Sequence, residues 1–397
     1  MNDFDNLAAT LAPHYSRFRV AERLLFTGHS HQAWPDVARD GLTEAYDIAA
    51  RDVDAKWESA FARTQRLRAY LRRWYDDPDG RYCLGVSTHQ LLVSWLSALD
   101  WRHRRRIVTT DGEFHSMARQ LCRLQELGVE VVALPSAAPE HLADDVEAAL
   151  ATPTTAVMVS RVFFETARVN PGLGRIAELC RMRGVPLLID DYHGTNVVPL
   201  SLRDSGLTDC YLVTGGYKYL QWGEGNCFLR FPADCALRPA VTGWFAAFSA
   251  LGEAGDGLPV RYDEEQRFAG ATYDPGSQFR AARVADFFDE HGLTPAVLRA
   301  QAVSQVERLR AGFLALELDP AIIRLAHAAP AAETGGFLAL RSAHAADLCD
   351  RLRRRGVFTD ARGGALRFGP APYTRAAQID NAVEALAASV GELVQEL

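Results

Sequence analysis

Between residues 82 and 231 the chain alternates short runs rich in Val, Ile, Leu and Tyr with longer stretches of helical spacing, and this alternation constrains the fold more than any other feature. The strand candidates are Ile107–Thr110, Val129–Leu134, Ala156–Ser160, Pro186–Ile189, Tyr211–Val213 and Cys227–Phe231. Between them lie Met117–Leu127, His141–Leu150 and Leu173–Arg183, each long enough for a helix. Neighbouring parallel strands need crossovers of that length, so the pattern predicts an α/β fold with a mostly parallel sheet and helices on both faces. Ligands on such sheets gather at the carboxyl ends of the strands.

On either side the texture changes. Residues 36–75 carry apolar positions at helical spacing, which predicts buried faces containing Trp57, Phe61, Leu67, Leu71 and Trp74. After a Gly- and Pro-containing segment, 252–276, helical patterns over 278–290 and 294–317 lead into a smaller α+β unit. The expected organisation is an N-terminal arm with helices (1–75) that partly joins the small domain, a large domain (76–280) and a small domain (281–397), in keeping with 397 residues.

Composition narrows the function classes. A net charge of −7 gives no electrostatic reason to bind nucleic acid or an anionic membrane, and the basic cluster Arg102–Arg106 reads as a solvated loop. Seven cysteines, an odd number with no C-x-x-C pair, fit buried free thiols in a reducing compartment. Met1-Asn2-Asp3-Phe4-Asp5 has no basic segment leading into an apolar one, and no stretch approaches about 18 apolar residues. The expectation is a soluble, cytoplasmic protein.

Two strand ends carry chemistry. Leu187-Leu188-Ile189-Asp190 delivers a carboxylate at the end of an apolar strand. A buried carboxylate needs a cationic or hydrogen-bonding partner to stay ionised, which a protonated pyridine nitrogen, a helix N-terminus or a metal ion can each supply. Further on, Thr214-Gly215-Gly216-Tyr217-Lys218-Tyr219 places a lysine in an enclosed, aromatic turn after another apolar strand. The chain has only Lys56 and Lys218 and otherwise uses Arg, so a lysine kept here suggests amine chemistry that a guanidinium cannot perform.

The strand-end Asp, the later strand-end Lys and the α/β texture together resemble the fold type I enzymes that use pyridoxal 5′-phosphate (PLP). The specific resemblance is to the kynureninase branch of the class V aminotransferase-like group. It rests on Gly216-Tyr217-Lys218-Tyr219-Leu220, Gly223-Glu224-Gly225, Gly243-Trp244-Phe245 and Leu366-Arg367-Phe368-Gly369-Pro370-Ala371-Pro372-Tyr373, in that order, and runs from Leu25 to about residue 390.

The resemblance implies that PLP is the cofactor and that Lys218 is its Schiff-base lysine and the proton carrier at the substrate Cα. It makes Asp190 the partner of the pyridine nitrogen, His193 a neighbour of the ring and Phe114 the aromatic stacked on it. Thr88, and less directly Ser87, match the phosphate-binding turn, while Tyr217, Ser116 and Ser160 align with further cofactor contacts. Trp244 and Thr272 match residues that a second subunit contributes, which implies a homodimer with shared sites. Arg367 corresponds to the arginine that clamps the substrate α-carboxylate, a task suited to a planar guanidinium.

The substrate side of the pocket departs from the family. Gly28-His29-Ser30-His31-Gln32 keeps Ser30 but flanks it with two imidazoles, Met117 stands where a carboxylate is usual, and Phe163 and Glu165 replace a polar pattern after Ser160. His29 and His31 become candidates for acid–base or carboxylate-binding roles. Two histidines without a third ligand do not make a metal site, and none is expected. The function that follows is a kynureninase-like lyase or hydrolase. It would remove the Cα proton and cleave a bond at Cβ of an L-amino acid other than, or besides, kynurenine. The alternative is a class V aminotransferase.

Overall fold

The structure is a computed structural model that describes residues 3–250 and 259–397. Residues 252–258 of the Gly- and Pro-containing segment, and Met1 and Asn2, lie outside the described residues. A seven-stranded sheet forms the centre. Its strands are β1 (Arg81–Gly85), β2 (Arg106–Thr110), β3 (Glu130–Leu134), β4 (Ala156–Ser160), β5 (Leu187–Asp190), β6 (Tyr211–Gly215) and β7 (Cys227–Phe231). Their spatial order is β1-β7-β6-β5-β4-β2-β3. The run β6-β5-β4-β2-β3 is parallel throughout, and β7 alone runs against its neighbours β1 and β6.

Residue chemistry explains the layout. Every residue of β2, β4, β5, β6 and β7 is buried, the signature of strands covered on both faces. The edge strand β3 instead exposes Glu130 and Ala133. Strand β1 lies just inside the point where the sequence texture changes and pairs antiparallel with β7 in register Gly85↔Cys227. This pairing brings the C-terminal end of β1 beside the C-terminal end of β6, because Gly215 also pairs with Cys227. The helices His115–Glu126, Leu142–Ala149 and Leu173–Arg183 fill the crossovers.

A four-stranded antiparallel sheet follows, built from β8 (Arg324–Leu325), β9 (Leu338–Arg341), β10 (Asp360–Arg362) and β11 (Ala365–Phe368) in the order β10-β11-β9-β8. Phe4 and Phe26 from the N-terminal segment join its apolar core alongside Leu309, Leu340, Leu366 and Leu386.

Several details correct the sequence expectations. Leu67, Leu71 and Trp74 are buried, but Trp57 and Phe61 are only half-buried and pack against each other, with Trp57 tilted onto Phe245 and Phe61 edge-on to Phe248. Arg106 is not a loop residue: it opens β2, is buried, and bonds the Ala149 carbonyl, Thr154 and Glu130. Six of the cysteines are buried free thiols, and Cys122 is exposed. Among the described residues no helix is long and apolar enough to cross a membrane.

Candidate active site

The carboxyl ends of β5 and β6 bring Asp190 and Lys218 together. Both are buried, at 8% and 5% exposure. The Lys218 Nζ lies 2.8 Å from His193 Nε2, 4.9 Å from the centre of the Tyr192 ring and 5.3 Å from that of Phe114. Burial pushes the lysine down to about 7, and Arg367 adds to the effect while Asp190 opposes it. Burial likewise raises Asp190 to about 6 against the pull of the Tyr192 amide and of Lys218. Desolvation therefore outweighs the mutual attraction of this pair. Among the described residues the Asp190 side chain accepts one hydrogen bond, 2.9 Å from the Tyr192 N–H, and so retains acceptor capacity for another donor.

His193 is neutral. Burial, then the nearby Lys218 and Arg367, hold it well below the ordinary imidazole range. Its ring also bonds the backbone carbonyl of His29, which takes the ring N–H and leaves Nε2 as the acceptor for the lysine amine.

Arg367, only 2% exposed, lies near enough to act on the charges of both Lys218 and His193. Its Nε and Nη2 donate side-on to Asp360 at 2.9 and 2.5 Å, and Nη1 donates to the Phe164 carbonyl at 2.7 Å. Asp360 also accepts from His29 Nε2 at 2.8 Å. Burial alone would raise Asp360, but the bonds from His29 and Arg367 win and hold it ionised, well below the usual carboxylate range. Burial and the Arg367 charge push His29 down to about 4. His29 is thus a buried, neutral orienting group tied to Asp360. His31 is exposed, stacks on Tyr217 at 5.1 Å between ring centres, and faces Glu224 at 3.7 Å, while Ser30 turns toward His31.

The third part lies where β1 ends and the helix Thr88–Ser97 begins. Ser87 is its N-cap, accepting from Gln90 N at 3.2 Å, which commits that side chain to the helix. The Thr88 hydroxyl meets the Tyr192 hydroxyl and the Cys227 thiol, and Tyr217 bonds Tyr192. Phe114 caps the next helix and packs edge-on against Phe164. Ser116, the second residue of that helix, is exposed, and Met117 points into the core. Ser160, at the end of β4, gives its hydroxyl to Glu113 at 2.6 Å. Burial raises Glu113 to about 7 despite that bond and one from Thr110.

Trp244 and Thr272 stand apart from this cluster. Trp244 is 43% exposed and packs on Phe245 and Phe248. Thr272 lines a cleft with Gly85, Val86, Gln90 and Phe245.

Sequence reasoning missed three residues here: Tyr192, Glu113 and Asp360. The signal for Asp360 was present, since Gly363-Gly364 closes a two-residue hairpin that sets Asp360 opposite Arg367. Nothing in the spacing announces where the Tyr192 ring turns.

Residues 298–386 match the kynureninase C-terminal domain family. Over 376 residues, 92% of this chain and 96% of its relative, the sequence is 22% identical to the uncharacterized aminotransferase YcbU of Bacillus subtilis. A shorter stretch of 179 residues, 43% of this chain and 47% of the other, is 34% identical to a 2-aminoethylphosphonate–pyruvate transaminase of Burkholderia pseudomallei. Among solved structures, the cystine C–S lyase C-DES in complex with its product cysteine persulfide superposes with a TM-score of 0.77 at 20% identity, covering 93% of this chain and 98% of that one. The cysteine desulfurase CsdA of Escherichia coli gives 0.78 at 17% identity, covering 97% and 98%. The architecture is therefore that of the fold type I PLP enzymes.

Proposed function

We propose that this chain, a member of the class V group of fold type I PLP-dependent enzymes, removes the Cα proton of an L-amino acid and cleaves a bond at its Cβ. One observation carries the proposal. A buried lysine near neutrality, a strand-end carboxylate with spare acceptor capacity and a buried guanidinium lie close enough together that Asp190 and Arg367 both act on the charge of the lysine.

PLP, when bound, supplies an aldehyde for the substrate amine and a ring that draws electrons from the Cα. The residues present fit it. Lys218 offers a neutral amine, Asp190 an acceptor for a pyridinium N–H, and Phe114 a flat apolar face. Thr88 opens a helix, where a phosphate is favoured, and Tyr217 is linked to it through the Tyr192 hydroxyl. Lys218 Nζ receives the Cα proton, and His193 Nε2 steadies that nitrogen from 2.8 Å. With Nε and Nη2 on Asp360 and Nη1 on the Phe164 carbonyl, Arg367 is held in place with N–H groups to spare for the substrate carboxylate, which fixes the Cα–H bond relative to the lysine. As the proton moves to Nζ, the Cβ bond breaks and the leaving group departs with its electron pair.

The two imidazoles of His29 and His31 flanking Ser30, and a buried Met117 where the family resemblance implies a carboxylate, support a substrate other than kynurenine. The likeness in fold to a cystine lyase and a cysteine desulfurase supports cleavage at Cβ. The sequence likeness to aminotransferases favours a second reading, amino-group exchange with a keto acid on the same residues.

The test is to incubate the PLP-loaded protein with a panel of L-amino acids and identify products by mass spectrometry. Release of a β-substituent supports the proposal. Exclusive amino exchange with a keto acid overturns it in favour of the second reading. The purified protein should also carry a visible cofactor band that Lys218→Ala abolishes.

A further inference from the structure

Tyr192 follows Asp190 by two residues, and its side chain reaches from the Lys218 amine to the start of the helix Thr88–Ser97. Its ring lies 4.9 Å from Lys218 Nζ. Its hydroxyl bonds Thr88, the first residue of the helix Thr88–Ser97, lies 3.7 Å from the Cys227 thiol, and is joined by the Tyr217 hydroxyl. The backbone is shaped to this placement. A Cβ at Gly215 would stand 2.2 Å from the Tyr192 hydroxyl, so this end of β6 must be bare for the phenol to reach Thr88.

PLP carries its aldehyde and its phosphate ester on neighbouring ring carbons. The amine that meets the aldehyde and the donors that meet the phosphate must therefore sit within one ring's width of each other. Tyr192 spans these two positions in this chain. Burial raises its hydroxyl well above the ordinary phenol range, which keeps it a neutral O–H donor suited to an anionic oxygen.

From this geometry we propose that Tyr192 is a cofactor-binding residue whose hydroxyl, with those of Thr88 and Tyr217, holds the phosphate of PLP. The inference rests on the PLP reading of the pocket. In the bound form the Tyr192 hydroxyl donates to a phosphate oxygen instead of lying against Thr88, while its ring stays beside Lys218.

The experiment compares PLP with pyridoxal, which has the aldehyde but no phosphate. Apoprotein of the wild type and of Tyr192→Phe is titrated with each, following the visible band and the rise in Tm. The expected result is a loss of PLP affinity of about tenfold in Tyr192→Phe, the scale of one hydrogen bond to a charged group, with pyridoxal affinity unchanged. Gly215→Ala, which displaces the phenol without removing it, should give the same pattern and serves if the first variant is unstable. Undiminished PLP affinity in the variants overturns the inference, and so does an equal loss for PLP and pyridoxal. Tighter PLP binding also overturns it, by making Tyr192 an occupant of the phosphate seat. A wild type that takes up neither compound defeats the PLP reading itself, an outcome distinct from the other three.

Discussion

An amine attacks a carbonyl only when unprotonated, and at Lys218 burial removes most of the energetic advantage of the proton. An ordinary lysine would reach that state only near pH ~10.4. Here the change comes at about 7. The rate of PLP uptake by the apoprotein should therefore climb with pH below about 7, where the ammonium dominates, and level off above it. Stopped-flow absorbance across the neutral and alkaline range checks this, and uptake that keeps climbing to high pH would contradict it. Asp360 invites a second test. Because it fixes the side edge of Arg367 and is itself held by His29, Asp360→Asn should loosen the carboxylate clamp by roughly 1–3 kcal/mol. Titrating L-alanine and ethylamine against the PLP-loaded protein separates the effects. Alanine binding should weaken, while ethylamine, which lacks the carboxylate, should bind as to the wild type.

Strands and hairpins decide which of these residues can meet. Behind Asp190, the next residue ties β5 to its surroundings: Asp191 is fully buried and accepts from Arg161 at 2.5 Å, Tyr75 at 2.7 Å and Thr195 at 3.0 Å. Removing it strands a buried guanidinium, so Asp191→Ala should cost about 3–5 kcal/mol, read as a lowered midpoint in denaturant unfolding. The elements themselves were largely readable from sequence. Buried parallel strands such as Ala156–Ser160 are short apolar runs between helical periods, and their boundaries follow from burial on both faces. The lysine and the aspartate were readable because strand ends on such a sheet face the ligand side. Asp360 was harder: the Gly363-Gly364 turn, with Gly363 at φ +53°, signals a hairpin, but its meeting with Arg367 becomes visible only once the antiparallel register is followed three residues back from that turn. Tyr192 was harder still. Its role depends on the room left by Gly215 on a different strand, which no single-strand periodicity encodes.

At the scale of the whole molecule, the surface beside Ser87 and Thr88 carries exposed apolar groups. Val86, next to Ser87, is 44% exposed, and Val241 and Trp244 are exposed by 53% and 43%. Thr272 lines a cleft beside Gly85 and Val86. Exposed apolar groups gathered on one face mark interaction surfaces, and a stable interface needs roughly 1,200 Å² or more of total buried surface. We propose that this face pairs with the same face of a second copy, so that Trp244 and Thr272 of one chain complete the phosphate site of the other. Two-fold pairing is self-complementary, so a single charge placed at the contact acts twice. Trp244→Glu should then convert a dimer, measured by light scattering, into a monomer of unchanged circular dichroism. The monomer should also hold PLP more weakly, because the site loses donors from across the interface. A wild type that is monomeric and still binds PLP tightly would refute this arrangement, whereas a dimer that survives Trp244→Glu would move the interface to another face.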